Sequence, residues 1–384
     1  MRKGVPVNER ILVWAREKAG FAVEDVARYI DVSAEKIAAW ESGNKLPTMN
    51  QLRTIAKFYH RPIITFFMSS PPIEKSCLKD FRTVGSHPTL SPSRFFSALK
   101  IKIEVLHDTL KEIAESEGNV INNYVGSISI STPIPEVVEK LNELLDWDDN
   151  IRRTTHTPRE LFNELRNRAL RAGILVVLKR DLGSHHSKVS AEEFRGICIA
   201  DDIVPLVVIN PYDSSDRAWI FTLVHELVHI LLGDSGISND MMESSVDREI
   251  FCNKAAGEFL VPSEKLIKLA KRKEVDITFI DKLAESFLVS KFVISRRLLD
   301  VHLINKDNFK KISKRLYELW TEYQKKTKLN QKSVGPDPNK LAHFRIGERV
   351  LNLIINASDD GLISYSQASA AIDIKPSRFR AVLS

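Results

Sequence analysis

At residues 221–232 the chain has the sequence Phe-Thr-Leu-Val-His-Glu-Leu-Val-His-Ile-Leu-Leu, an apolar run interrupted by a threonine, two histidines and a glutamate. The run predicts a buried helix. Residues four positions apart on a helix lie on the same face, so His225 and His229 can reach one metal ion. Glu226 lies beside them, where it can act as a general base toward a water molecule.

The alternative interpretation of this motif is a pair of core histidines that hydrogen-bond to backbone carbonyl groups. Burying polar groups without partners is costly, and a metal ion removes that cost. The His-Glu-x-x-His pattern is typical of zinc peptidases, which use three protein ligands and keep a fourth position open for water. We therefore expect one Zn2+ per chain and a third ligand elsewhere in the sequence.

The third ligand should come from a later helix, because the glycine and third histidine that follow the motif in metzincin peptidases are absent. A helix is predicted from Glu249 to Pro262, which ends it. Glu249 and Asn253 share a face of this helix, as a ligand Glu and the residue that orients a ligand His do in gluzincin-type peptidases. Glu258 faces nearly the opposite side and is the weaker candidate. Cys252 could bind zinc as a thiolate, although a small buried cysteine fits the pattern better.

The middle of the chain mixes strands with helices. Short runs rich in β-branched residues indicate strands at 173–178, 196–200 and 204–209. Helical patterns surround them, the longest at 94–116. A polar loop contains His185 and His186, and we interpret it as solvated rather than as a second metal site. The sequence therefore predicts a helix-rich α+β fold, with a small mixed sheet in a zincin-like domain.

The first 69 residues have the pattern of five short helices. Breaks at Gly20 and at 42–44 separate some of them, and Ser33 is expected to cap the third. A tight turn joins the second helix to the third, which is typical of the helix-turn-helix plan. The predicted helices are 8–18, 23–30, 34–41, 49–59 and a short one after Pro62.

This N-terminal region resembles the Xre/Cro-type DNA-binding domain. The resemblance is carried by Val-Ala-Arg-Tyr-Ile-Asp-Val-Ser at 26–33, Ile-Ala-Ala-Trp-Glu-Ser-Gly at 37–43 and Leu-Arg-Thr-Ile-Ala at 52–56. In that family the third helix enters the major groove of DNA. The resemblance implies base contacts by Ser33, Glu35, Lys36 and Ala39, and phosphate contacts by Asn44 and Lys45.

The charge of this domain gives opposed signals. The family usually has a glutamine near the start of the second helix, where this chain has Glu24-Asp25. Residues 22–41 carry five acidic and two basic side chains, whereas residues 1–69 carry seven acidic and eleven basic ones, a net charge of +4. Phosphate binding depends on cationic contacts. Two uses of the fold therefore stay open, the binding of operator DNA and the docking of a protein.

A second resemblance covers nearly the whole chain. Residues 221–232, followed by Glu249-x-x-Cys-Asn-x-x-Ala-x-x-Phe-Leu-x-Pro, are similar to the ImmA/IrrE family of metallopeptidases. Phe194-Arg195-Gly196 and the pairing with an Xre-type domain also resemble it. Cys252 departs slightly, since the family tends to have alanine there. The resemblance implies zinc ligands His225, His229 and Glu249, with Glu226 as the general base.

The resemblance implies a regulator that cleaves another regulatory protein, such as a repressor or an antitoxin, in a stress response or in the control of a mobile element. The alternative is a DNA-binding regulator whose peptidase-like domain senses or docks a partner without cleavage. We expect a helix-turn-helix domain at 1–69, a helical linker at 70–150, the peptidase domain at 151–305 and a helical C-terminal region at 306–384. A homodimer is a candidate assembly.

The composition is consistent with this view. The chain of 384 residues is long enough for two or three domains, and its net charge of +6 permits a nucleic-acid partner without requiring one. Three scattered cysteines indicate no disulfide framework. No stretch approaches the roughly 20 apolar residues of a membrane span. We therefore expect a cytoplasmic protein that does not enter a membrane.

Overall fold

The computed structural model describes residues 4–59, 61–72, 79–80, 93–118, 121–183, 187–211, 215–238, 247–271, 274–329 and 337–383. The chain divides into two compact units. One comprises residues 1–76, 90–105 and 181–189, and the other comprises residues 77–89, 106–180 and 190–384. Among the described residues, no helix is both long enough and apolar enough to cross a membrane.

Five short helices form the N-terminal part of the first unit, as the sequence predicts. Asn8 begins the first by accepting a hydrogen bond from the backbone N–H of Arg10. Thr48 begins the fourth in a capping box with Gln51. Asp31, at φ 59°, ends the second and makes the tight turn into the third. The helices are α1 (Glu9–Lys18), α2 (Val23–Ile30), α3 (Ala34–Glu41), α4 (Met49–Phe58) and a 3₁₀ helix (Ile63–Phe67).

An apolar core holds these five helices together. Ile11 of α1, Trp40 of α3 and Leu52 of α4 are almost completely buried in it. Full burial of such a side chain contributes about 2 kcal/mol. The inner face of each helix is therefore fixed, which leaves the outer face of α3 for solvent or a partner.

A second and larger core lies in the other unit. Its helices pack around a small sheet and around one central helix, α9, whose residues from Trp219 to Leu231 are all buried. The helices beyond the first 69 residues in the described chain are α5 (Arg94–Ser116), α6 (Ile134–Leu144), α7 (Asp149–Thr154), α8 (Pro158–Arg171), α9 (Asp216–Leu232), α10 (Asp247–Leu260), α11 (Ser263–Ala270), α12 (Ile277–Phe287), α13 (Lys291–Asp300), α14 (Lys306–Leu329), α15 (Pro338–Ile346), α16 (Glu348–Asp359), α17 (Tyr365–Ile372) and α18 (Phe379–Leu383), with a 3₁₀ turn at Pro376–Arg378.

The sheet mixes parallel and antiparallel pairs. Its strands are β1 (Lys79–Asp80), β2 (Leu175–Leu178), β3 (Gly196–Ile199), β4 (Leu206–Ile209) and β5 (Gly236–Ser238), in the order β1-β5-β3-β4-β2. β3 runs antiparallel to both of its neighbours, and the two outer pairs are parallel. The three predicted strands are therefore present. The helix-rich α+β class with a small mixed sheet is confirmed.

The central helix α9 is held on several sides. It packs against α8, α10, β3 and β4. Ser215 occupies its N-cap position but makes no side-chain capping bond. Gly233, at φ 68°, ends the helix in a left-handed conformation that favours glycine. Full burial explains why this segment is apolar on every side except at its polar motif.

Arg297 on α13 ties the end of α10 to the rest of the core. It is 4% exposed, and it donates hydrogen bonds to the Glu258 carboxylate, to Ser263 Oγ at 2.9 Å and to the Val261 carbonyl oxygen at 3.2 Å. A Cβ at position 257 would lie 2.7 Å from Arg297 Cδ, so glycine there lets the arginine pass. Glu258 thus has a structural partner, in agreement with its lower rank as a metal ligand.

We expect Arg297→Ala to lower the free energy of unfolding of this unit by about 3 kcal/mol, because it leaves the Glu258 carboxylate without its buried partner. Thermal unfolding followed by circular dichroism would measure the change. Arg296→Ala is the matched control, since the Arg296 side chain is 31% exposed and pairs along the helix surface with Asp300. Its expected cost is below about 1 kcal/mol. Equal losses for the two variants would contradict this account of Arg297.

Candidate functional site

Two buried histidines and one buried glutamate converge inside the second unit. His225 and His229 lie one turn apart on α9, and Glu249 lies in the first turn of α10. The two Nε2 atoms are 3.2 Å apart, and they lie 3.2 Å from Glu249 Oε2 and 3.1 Å from Glu249 Oε1, respectively. None of the three residues is more than 2% exposed. The structure therefore brings the predicted ligand set together at one point.

The separations between these atoms fit a metal ion. A tetrahedral zinc site with bonds of about 2.05 Å places its ligand atoms about 3.3 Å apart, close to the observed distances of 3.1–3.2 Å. Two imidazole nitrogens and a carboxylate oxygen are also a donor set that suits Zn2+. Among the described residues, these three are the group of possible ligands close enough to share one ion.

The surroundings of the three groups favour an ionised Glu249 and a neutral His229. Burial alone would raise the pKa of Glu249, but hydrogen bonds from His225 and His229 outweigh it and lower the pKa to about 2. Burial lowers the pKa of His229. For His225, burial acts in the same direction but is outweighed by the hydrogen bond and charge of Glu249, so its pKa is raised. An ionised carboxylate beside imidazoles is the form in which such residues bind a metal.

Asn253 lies one turn after Glu249 on α10, at the position predicted to orient a ligand histidine. It is one of the smaller influences that raise the pKa of His225, and its amide oxygen and His225 Nδ1 are both buried without a hydrogen-bond partner of ordinary geometry. The amide oxygen can accept from the imidazole N–H, which would turn Nε2 toward the ion. The structure thus places Asn253 near His225, one of the two predicted histidine ligands.

Glu226 packs directly on a strand of the sheet. A Cβ at position 196, the first residue of β3, would lie only 2.1 Å from Glu226 Oε1 and 2.6 Å from its Cδ. Gly196 pairs with Ile209 on β4 and with Ser238 on β5, so the backbone there cannot move aside. Glycine is therefore required for the carboxylate to sit here. The sequence pattern of Phe194-Arg195-Gly196 does not by itself place Gly196 in the site, although a glycine that opens a β-branched strand is a recognisable signal of close approach.

The two described cysteines lie near this centre but do not join it. Cys198 on β3 and Cys252 on α10 are fully buried and form no disulfide. Burial raises the pKa of both thiols, and the nearby carboxylates of Glu226 and Glu249 add to the effect. Neither thiol belongs to the group of ligand atoms in the described residues that lie close enough together to share one ion. This agrees with the interpretation of Cys252 as a small buried residue.

The residues predicted to face DNA lie on the outer side of α3 and in the loop after it. Ile37 and Trp40 point into the core, which leaves the opposite side of the helix free. Among the predicted contacts, Ala39 is half-buried; the exposed ones are Ser33, Glu35, Lys36, Asn44 and Lys45. Their part in DNA binding stays a prediction.

Part of the acidic character of residues 22–41 is neutralised within the domain. Glu41 accepts two hydrogen bonds from Arg16, at 2.7 and 3.0 Å, in a largely buried pair. Asp25 accepts from the backbone N–H of Ala22 at 3.3 Å and lies 3.7 Å from Arg28. These contacts use two of the five acidic side chains. The surface that faces a partner is therefore less acidic than the sequence suggests.

The capping role predicted for Ser33 takes a different form. Ser33 occupies the N-cap position of α3 but makes no side-chain bond to the backbone of that helix. Its hydroxyl instead hydrogen-bonds to the carboxylate of Glu35, and this lowers the pKa of Glu35. Ser33 and Glu35, which are both predicted to contact bases, thus interact with each other. His185 and His186 lie outside the described residues.

Two segments match known protein families. Residues 12–66 match the helix-turn-helix family, and residues 170–299 match the family described as the IrrE N-terminal-like domain, which is a peptidase family. The expected combination of an Xre-type domain with an ImmA/IrrE-like domain is confirmed. The two matches support a DNA-binding regulator that carries a peptidase-like domain. A search of curated proteins finds no match. The four segment boundaries proposed from the sequence stay predictions.

We expect the purified chain to contain about one zinc ion, measured by inductively coupled plasma mass spectrometry. His229→Ala removes one of three converging ligands, so its zinc content should fall to background. Cys252→Ala is the control, because its thiol lies near the site without joining the ligand group, and it should retain the metal. Equal loss of zinc in both variants would show that the thiol is a ligand and would contradict the His-His-Glu assignment.

Proposed function

We propose that the chain is a cytoplasmic zinc-dependent endopeptidase that regulates gene expression by cleaving another regulatory protein. The observation that carries this proposal is the convergence of His225, His229 and Glu249, with the Glu226 carboxylate held nearby against Gly196. A structural zinc site would need no general base. A site with three protein ligands, an open position and a fixed carboxylate supports hydrolysis.

Zn2+, when bound by these ligands, would supply Lewis-acid activation of a water molecule and of the scissile carbonyl group. Glu226 removes a proton from the attacking water while the water oxygen forms a bond to the carbonyl carbon. The same carboxylate then delivers that proton to the nitrogen of the leaving amine as the C–N bond breaks. The Glu226 side chain is 0% exposed. It is therefore shielded from bulk water, which strengthens its interaction with the charge that develops during the reaction.

Two neighbouring residues position this chemistry. Gly196 leaves room for Glu226 against a strand that is hydrogen-bonded on both edges, so this strand restricts the position of the carboxylate. Asn253 lies beside His225 and would hold its imidazole with Nε2 toward the ion by accepting from Nδ1–H. Both are positioning residues, because neither contacts the reacting atoms.

The N-terminal domain gives the proposed peptidase its regulatory setting. We propose that α3 binds operator DNA through Ser33, Glu35, Lys36 and Ala39, with Asn44 and Lys45 on phosphates. The internal Arg16–Glu41 pair supports this use, since it removes one acidic side chain from the facing surface. A repressor or antitoxin is the proposed substrate, because cleavage of such a protein would change transcription where this domain binds.

We expect protein cleavage to depend on Glu226 and on the space at Gly196. Expression of wild type in cells, followed by mass spectrometry of newly formed protein N-termini, should reveal a cut regulatory protein. Glu226→Gln should reduce that cleavage by about 10³-fold, because it removes the base. Gly196→Ala should reduce it by at least about 100-fold, because it displaces the carboxylate.

Ile197→Val on the same strand is the control for Gly196→Ala, since it shortens a buried side chain by one methyl group at a cost of about 1 kcal/mol. It should cleave as wild type does. Both Glu226→Gln and Gly196→Ala should retain zinc, which separates loss of catalysis from loss of the metal. Undiminished cleavage by Glu226→Gln would contradict the mechanism. If wild type and Glu226→Gln yield the same N-termini, the site acts in sensing or docking without cleavage.

If this domain binds DNA through α3, reversal of a positive charge near α3 should weaken binding more than the same reversal elsewhere in the domain. In a gel-shift assay on DNA from upstream of the chain's own gene, Lys45→Glu should weaken binding. The slope of log affinity against log salt concentration should also fall by about one, as expected for the loss of one phosphate contact. Lys57→Glu makes the same charge change on exposed α4 and is the matched control, with a smaller expected effect. Absence of any shift at low salt would contradict DNA binding by this domain and favour protein docking.

A further inference from the structure

An open groove of about 760 Å³ lies in the second unit, away from the metal ligands. Its walls are α8 and α16, and β2 and the end of α15 contribute to its floor. This volume falls within the range of about 300–1,000 Å³ that is typical of ligand sites. None of His225, Glu226, His229 and Glu249 lines the groove. It is therefore separate from the proposed catalytic centre.

Four asparagines line this groove in two pairs. Asn163 and Asn167 are four residues apart on α8, and Asn352 and Asn356 are four residues apart on α16. Each pair therefore shares one face of its helix. Three of the side chains are exposed and that of Asn352 is half-buried. Among the described residues, none of the four side-chain amides makes a hydrogen bond, so all four remain available to a ligand.

The floor of the groove is rigid. Arg166 donates to the Val176 carbonyl oxygen through Nε at 3.0 Å and Nη2 at 2.7 Å, and to the Phe344 carbonyl oxygen at 2.7 Å. It thereby joins β2 to the end of α15. Gly347, at φ 92°, leads from α15 into α16, and a Cβ there would lie 2.9 Å from Arg166 Nη2. The two asparagine-bearing helices are thus held in place before any ligand arrives.

The spacing of the asparagines matches an extended polypeptide. A carboxamide carries an acceptor oxygen and N–H donors, so it can accept from the N–H and donate to the C=O of one residue of an extended chain, because these two groups point to the same edge. Residues four apart on a helix are separated by about 6 Å along its axis. Alternate peptide groups of an extended chain repeat at about 6.6 Å. One pair of asparagines can therefore engage successive outward-facing peptide groups on one edge of such a chain.

Apolar side chains also line the groove, together with the charged side chains of Glu117, Glu348 and Asp360. Leu353 stands between the two asparagines of α16 in sequence, and Val176 and Ile346 lie on the floor side. Such surfaces accept side chains of the bound segment, while the amides fix its backbone. We propose that the groove between α8 and α16 binds an extended peptide segment of a partner protein, by hydrogen bonds from Asn163, Asn167, Asn352 and Asn356 to the peptide backbone.

The test uses the full-length Glu226→Gln protein, so that no probe is cut. Random dodecapeptides displayed on phage are selected on it, and an enriched peptide is labelled with fluorescein for anisotropy measurements. Asn167→Ala/Asn356→Ala should raise its Kd by about tenfold, as expected for loss of two amide contacts. Asn163→Ala/Asn352→Ala should act similarly and covers the case in which the first double variant unfolds. Asn308→Ala, on exposed α14, is the control and should leave the Kd unchanged.

Enrichment of a peptide whose Kd rises in both double variants and not in Asn308→Ala would support the proposal. Selection without enrichment, or a peptide that binds the Glu226→Gln protein and both double variants made in it equally, would overturn it. A free dipeptide amide that competes as well as the dodecapeptide would also overturn it, because it would point to a small amide-bearing ligand. Peptide binding in this assay does not require catalysis, so its outcome is distinguishable from failure of the proposed peptidase activity.

Discussion

The structure of the second unit depends on one constraint, the burial of two imidazoles and two carboxylates within an apolar helical core. His225, Glu226 and His229 sit on a helix that is enclosed from Trp219 to Leu231, and Glu249 meets them from α10. Polar groups in such surroundings are costly unless they are satisfied. The pairing of α9 with α10 is therefore required by chemistry as well as by apolar packing, and the sheet serves to hold the remaining carboxylate.

That constraint explains features outside the motif. The strand β3 must begin with a residue without a side chain, because the Glu226 carboxylate occupies the space above Gly196. The helix α10 continues beyond Glu249 and places Asn253, one turn later, beside His225. Its far end is fastened by Arg297 rather than by the metal ligands. The proposed catalytic atoms are thus fixed from three directions, by two helices and a strand.

Local sequence patterns predicted most of the helices and the three main strands, because each of these follows from periodicity or from residues close in the chain. The ligand set that joins α9 to α10 was instead implied by the resemblance to the ImmA/IrrE metallopeptidases. Contacts between distant segments could not be predicted in this way. Gly196 meets Glu226 only through the packing of a strand under a helix, and β1 and β5 are too short to leave a periodic signal. The asparagine pairs of α8 and α16 line the same groove although they lie about 190 residues apart in the sequence. No local pattern could predict that they come together.

The most direct test of this account is an anomalous-diffraction experiment on crystals of the full chain, with data collected on both sides of the zinc absorption edge. The account predicts one strong peak within about 2.0–2.2 Å of His225 Nε2, His229 Nε2 and a Glu249 carboxylate oxygen. The Glu226 carboxylate should stay outside bonding distance of the peak and remain against Gly196. Absence of a zinc peak there, or a peak bonded to Cys252 or Glu226, would contradict the proposed centre.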